Sequence, residues 1–118
     1  MERELIAALR PLGAPVVWGV FSRDVGYPRL TLQRISTRSA HALDRRMGNE
    51  TARVQINVLA QSYAGTAALS RRVSQTLTEL RGGSVIRCYE ISRRDSFEQT
   101  GGDVIRLQML DVLVRYRA

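Results

Sequence analysis

The segment Thr51–Gln61 leaves the backbone little choice. Val54, Ile56, Val58 and Ala60 alternate with Arg53, Gln55 and Asn57. A period of two puts apolar side chains on one face and polar ones on the other, the pattern of a half-buried strand. Immediately afterwards the period changes. Leu69, Val73, Leu77 and Leu80 recur at helical spacing, while Arg71, Arg72, Gln75 and Glu79 fall on the opposite side. Ser62 stands where an N-cap is needed, and Gly82 and Gly83 supply the stop. A one-sided strand feeding a one-sided helix calls for a sheet with helices packed on it.

The flanking sequence extends this plan. Residues 2–10 read as a short helix through Leu5, Ile6 and Leu9, with Glu2 and Glu4 at the end where the helix dipole favours negative charge. Pro11 and Gly13 end it. Pro15–Phe21 is rich in valine and aromatics and reads as a strand, and Ser22–Pro28 as a loop. Arg29–Ser36 is a second strand, with Leu30 and Leu32 facing away from Thr31 and Gln33. Thr37–Glu50 carries Arg38, His41, Asp44, Arg45, Arg46, Gly48 and Asn49 with few bulky apolar residues, and is expected to be an arm between two long strands. Ser84–Ile91 reads as a fourth strand and Arg93–Gly102 as a polar turn. In the closing strand, Val104–Tyr116, Leu110, Val112, Val114 and Tyr116 share one face, with Asp111, Leu113 and Arg115 on the other.

The expected order is α-β-β-β-α-β-β. It describes one α+β domain over residues 1–118: an antiparallel-rich sheet of about five strands, two helices on one face, and a long β-β arm at 37–50.

The chemical inventory is thin. Cys88 is the one cysteine, so no intrachain disulfide can form, and with His41 it is too few for a four-ligand zinc site. His41 has Ser39 and Asp44 beside it in sequence, but a triad needs its members held rigidly in space rather than close along a loop. Cys88 lies within a strand pattern, which favours a packed, inert thiol. Glu90, Asp95 and Glu98 are interspersed with Arg87, Arg93 and Arg94, the composition of surface ion pairs. Neither Gly82-Gly83 nor Gly101-Gly102 matches phosphate-loop spacing. No cofactor or metal is expected.

The most apolar stretch, Ala14–Phe21, contains Pro15 and Gly19 and is well short of the ~20 residues that span a membrane. Glu2, Arg3 and Glu4 do not resemble a targeting segment. An intracellular protein, or a part of an assembly built inside a cell, is the expectation.

Eighteen basic residues against eleven acidic ones give a formal charge of +7, and every basic residue is arginine. A GC-rich genome would produce that bias. Guanidinium groups also pair carboxylates and phosphates in a planar, bidentate way. Arginine is locally dense over Arg34–Arg53 and at Arg71 and Arg72, yet no helix-turn-helix, zinc-finger or aromatic–glycine signature accompanies it. A small basic nucleic-acid-binding module therefore stays open as an alternative. A small hydrolase using His41 or a carboxylate has less in the sequence behind it.

The run from Ala52 to Val73 resembles the tail-completion, or tail-terminator, proteins of long-tailed phages and related prophage-like particles. In that family a strand of the form Arg-x-Gln-Ile/Val-Asp/Asn leads through a tyrosine into a helix of alanine, leucine and valine. Arg53, Gln55, Ile56, Asn57 and Tyr63 fit it. Val16-Val-Trp-Gly, Tyr27-Pro28 and Leu30-Thr-Leu-Gln are similar to the family's opening, and Arg106 to Tyr116 to its close. Asn57 stands where aspartate is common, and the closing strand lacks a frequent tryptophan.

The resemblance implies a structural virion protein, not an enzyme. Its members form a ring, commonly hexameric, on the head-proximal end of the tail tube. The ring ends tube polymerisation, meets the head-closure or connector proteins, and lets DNA pass without sequence-specific binding. The implied location is the head–tail junction of a virion or gene-transfer particle, assembled in the host cytoplasm. The implied partners are further copies of the chain, the tail tube protein and the connector. Six copies at +7 each, lining a channel uniformly, would grip DNA through counterion release. Arg34, Arg38, His41, Arg45, Arg46, Arg53, Arg71 and Arg72 are therefore expected to meet neighbouring subunits or partners. A head-closure or connector protein of the same junction is the neighbouring alternative.

Overall fold

A computed structural model describes residues 1–19, 26–39, 49–100 and 103–117. Helix α1 (Glu2–Leu9) passes into a 3₁₀ turn (Arg10–Leu12), which Gly13 ends with a φ of 87°. Strands β1 (Val16–Trp18), β2 (Arg29–Ser39) and β3 (Asn49–Ala60) follow, then helix α2 (Tyr63–Glu79), then β4 (Val85–Thr100) and β5 (Asp103–Arg117). The strands form one sheet in the order β1-β2-β3-β5-β4. β1 runs parallel to β2, and every other pair is antiparallel. The expected α+β architecture is the one observed.

Both helices cover one face. Leu30, Leu32, Val54, Ile56, Val58, Leu110, Val112 and Val114 rise from the sheet to meet Leu5 and Leu9 of α1 and Leu69, Val73 and Leu77 of α2. Each fully buried side chain of this size contributes about 1.5–3 kcal/mol of transfer free energy, so the alternation in β3 and β5 decides which face is covered. Ser62 caps α2, its Oγ accepting from the Gly65 amide at 3.0 Å.

A polar clamp joins α1 to the turn before β4. Glu4 Oε1 accepts from the Ser84 hydroxyl at 2.7 Å and from the Ser84 amide at 3.1 Å, while Oε2 lies 3.0 Å from the Met1 amine. The Ser84 hydroxyl, the Met1 amine and the Ser84 amide together lower the Glu4 pKa to about 2.

Two expectations need correction. The arm at 37–50 is strand at both ends, since Thr37, Arg38 and Ser39 pair with Ala52, Thr51 and Glu50. Ladder hydrogen bonds carry the hairpin outward and ask nothing of side-chain polarity. The rest of the arm, 40–48, lies outside the described residues. The second correction is Arg93–Gly102. Arg93–Thr100 is not a turn but the outer half of β4, paired from Arg93↔Leu110 to Thr100↔Asp103. Its polar composition reflects an edge position.

Candidate interaction surface

Strand register defines the face opposite the helices. Thr31, Asn57, Met109 and Arg94 form one cross-strand row, and Gln33, Gln55, Asp111 and Ser92 the next. Arg53, Leu113 and Tyr89 form a third, and Thr51, Arg115 and Arg87 a fourth. Among the described residues no helix covers this face.

Its centre is a charged knot. Arg53 Nη2 donates to Asp111 Oδ2 at 2.6 Å, and the Ser92 hydroxyl donates to the same oxygen at 3.2 Å. Three strands are thereby tied together through one carboxylate. The Asp111 side chain is 10 % exposed and that of Arg53 46 %. The hydrogen bond from Arg53 holds the Asp111 carboxyl below the usual carboxylate range. The Arg53 charge, Ser92 and Arg94 add to this, and burial opposes it. Beside the knot, Gln55 donates to Asn57 at 3.0 Å and Asn57 to the Thr31 hydroxyl at 3.2 Å.

Along β5, Leu107, Met109 and Leu113 make a half-buried apolar strip. Exposed Arg87, Arg94 and Arg115 border it, as does Tyr89, whose ring lies 5.2 Å from the Arg87 guanidinium carbon. Arginine, tyrosine and methionine around an apolar strip are the residue types enriched in protein–protein interfaces. Central Arg53 is neutralised by Asp111, so the face is not a uniform trap for phosphates.

The expected contact residues do not converge. Arg53 lies at the centre of the helix-free face. Arg34 is on the other side of the sheet, at the β2 edge, where it donates to Glu2 at 3.1 Å and lies 6.0 Å from the Tyr116 ring centroid. Arg71 and Arg72 are exposed on α2. Arg72 borders a groove of ≈ 500 Å³ that Leu12, Tyr27, Pro28 and Gly65 also line. The Arg38 backbone pairs with Thr51. His41, Arg45 and Arg46 lie outside the described residues. Reading by density along the chain missed Asp111, Ser92, Arg87, Arg94 and Arg115 as one surface. The signal that finds them is the period of two in β5, carried across to β4 by register.

Cys88 is buried opposite Val114, and burial pushes its thiol up to about 11. A thiol in that state is a poor nucleophile. Among the described residues, no group of three or more His, Cys, Asp and Glu side chains is placed to hold a metal ion, and no described helix is long and apolar enough to cross a membrane.

No family model matches the sequence, and no curated protein matches it. A solved structure does share the fold: a chain in the virion of a native gene transfer agent particle, with a TM-score of 0.56 and 19% identity. The match covers 94% of this chain and 84% of that one. At this identity the likeness is one of fold.

Proposed function

We propose that the chain is a structural protein of a virion or gene-transfer particle, a tail terminator that closes into a ring on the head-proximal end of the tail tube. The observation that carries this reading is the fold it shares, over 94% of its length, with a chain of a gene transfer agent virion. The order of the Arg53–Tyr63 strand-to-helix segment, the opening strand and the closing strand supports the narrower assignment to a terminator. A ring repeats one head-to-tail interface until rotation closes it, so each subunit must present two complementary surfaces.

In this role the protein catalyses no reaction. It stops tube growth, offers a joint to the head-closure proteins and leaves a channel for DNA. Arg53, Arg71 and Arg72 face neighbouring subunits or partners, and residues 40–48 carry His41, Arg45 and Arg46 to the same task. Replacing 40–48 with a glycine–serine linker is expected to leave the monomer folded and to block particle assembly. Normal particles from that variant would remove these three residues from the interface.

Particles made without the protein test the function itself. A terminator leaves tubes of uncontrolled length, visible by electron microscopy. Tails of normal length beside heads that leak DNA would reassign the protein to head closure.

A further inference from the structure

The sheet has two open edges among the described residues. Beyond Val85, which bridges to Gly82, β4 pairs only with β5, so its outer side is unpaired from Ile86 onward. β1 covers only Leu30–Leu32 of β2, which leaves 33–39 open. β2 has a bulge at Ile35, between Arg34 and Ser36, and β4 has two, at Ile86 near its start and at Ile91 between Glu90 and Ser92; Ile35 and Ile91 are the exposed pair. Both are 47% exposed. Each isoleucine therefore stands on a strand edge that another strand can pair.

The two bulges flank one cross-strand row, Ile35 on its Arg53 side and Ile91 on its Asp111 side. Arg34 pairs with Val54, Val54 with Val112, and Val112 with Glu90. Ile35 and Ile91 therefore adjoin opposite ends of one cross-strand row, three strand spacings or about 14 Å apart. That row ends in a cation at the β2 edge and in an anion at the β4 edge. Each has a local partner of opposite sign, Glu2 at 3.1 Å from Arg34 and Arg93 at 2.7 Å from Glu90. The two edges thus carry complementary charge patterns. Their directions also suit each other, because β2 and β4 run antiparallel. Setting β4 of one copy beside β2 of the next continues the sheet with an antiparallel pair.

We propose that a second copy of this chain docks its β4 segment 87–92 on the β2 segment 34–39 of its neighbour, with Ile91 opposite Ile35 and the long side chains of Glu90 and Arg34 meeting diagonally across the seam. The contact is heterologous, so it repeats around a ring. The bulge at Ile91 bends β4 just before Arg93, which shares its row with Leu32, the last β2 residue that β1 covers. The outer half of β4 then clears β1 of the neighbour. This inference rests on the ring reading above and names the edges that build it.

The test is disulfide trapping in the full-length protein at millimolar concentration. The variants are Ile35→Cys, Ile91→Cys and the double variant, with the wild-type protein controlling for buried Cys88. The native mass of the wild type is measured alongside. The double variant is expected to give an intermolecular ladder that stops at the ring size, and each single variant little or none. Dimers from Ile91→Cys alone, as abundant as the ladder, would mean that β4 pairs with β4 about a two-fold axis and would overturn the proposal. A wild-type oligomer without a ladder in the double variant would overturn the edge assignment and leave the ring intact. A monomeric wild type with no ladder would overturn both. Charge reversal gives an independent arm that leaves both isoleucines in place. Arg34→Glu or Glu90→Arg alone is expected to weaken assembly about tenfold, and the double reversal to recover most of it. No recovery would also overturn the pairing.

Discussion

Arg53 and Asp111 meet at 2.6 Å across β3 and β5, in adjacent rows of the helix-free face. The pair is unequal, since the carboxylate is largely buried and the guanidinium half exposed. Removing the arginine strands a largely buried charge, whereas removing the aspartate frees one that water reaches readily. Arg53→Ala is therefore expected to cost about 2 kcal/mol and Asp111→Ala about 1 kcal/mol. Urea denaturation of both variants checks the order, and equal costs would contradict it.

The same pair gives an acid dependence. The folded-state pKa of Asp111 is lowered, so its stabilisation is fully present above the ordinary carboxylate range. It is lost as pH falls through the lowered value. Thermal melts of wild type and Asp111→Asn should converge as pH drops below 4.

Gly83 holds a φ of 57°, and a Cβ there would lie 3.0 Å from Glu4 Cγ. Gly83→Ala must therefore adopt a left-handed backbone and displace the Glu4–Ser84 clamp. A loss of about 2 kcal/mol is expected, together with a weaker dependence of stability on pH as it approaches the Glu4 pKa of about 2. Chemical denaturation across acidic pH measures both.

The N-terminus of α2 predicts a non-additive pair. Gly65→Ala would normally stabilise a helix by about 1 kcal/mol. Here the new Cβ would sit 2.9 Å from the Ser62 Oγ that caps the helix. The substitution should bring no gain in the wild type and most of that gain in a Ser62→Ala background, which by itself costs about 1 kcal/mol. A double-mutant cycle of melting temperatures reads the coupling.

Cys88 should not react with an aromatic disulfide reagent in the native protein, because it is buried and its thiol is pushed up to about 11. Labelling should follow unfolding across a denaturant series. Rapid labelling without denaturant would contradict the burial.

How much of this was legible depended on what each strand buries. β3, α2 and β5 each press one face on the core, so Val54, Ile56 and Val58, then Leu69, Val73 and Leu77, then Leu110, Val112 and Val114 give away their periods. Past Arg93, β4 buries almost nothing as far as Phe97. Arg94, Asp95, Ser96 and Phe97 are all exposed, so no alternation survives, and the strand is specified through its partner β5. The surface was harder still. Arg34 and Arg53 look like neighbours in an arginine-rich stretch, but Arg34 pairs with Val54 and so faces away from Arg53. Asp111 and Arg53 were each legible as polar-face residues, and only register joins them.

Whether the chain closes into a ring can be read by light scattering from the purified protein over a range of concentrations, at low and high salt. One discrete closed oligomer, a hexamer, is expected to form as concentration rises and to weaken moderately in high salt as the edge ion pairs are screened. A strict monomer throughout, or species that keep growing without a limiting size, would contradict a closing ring.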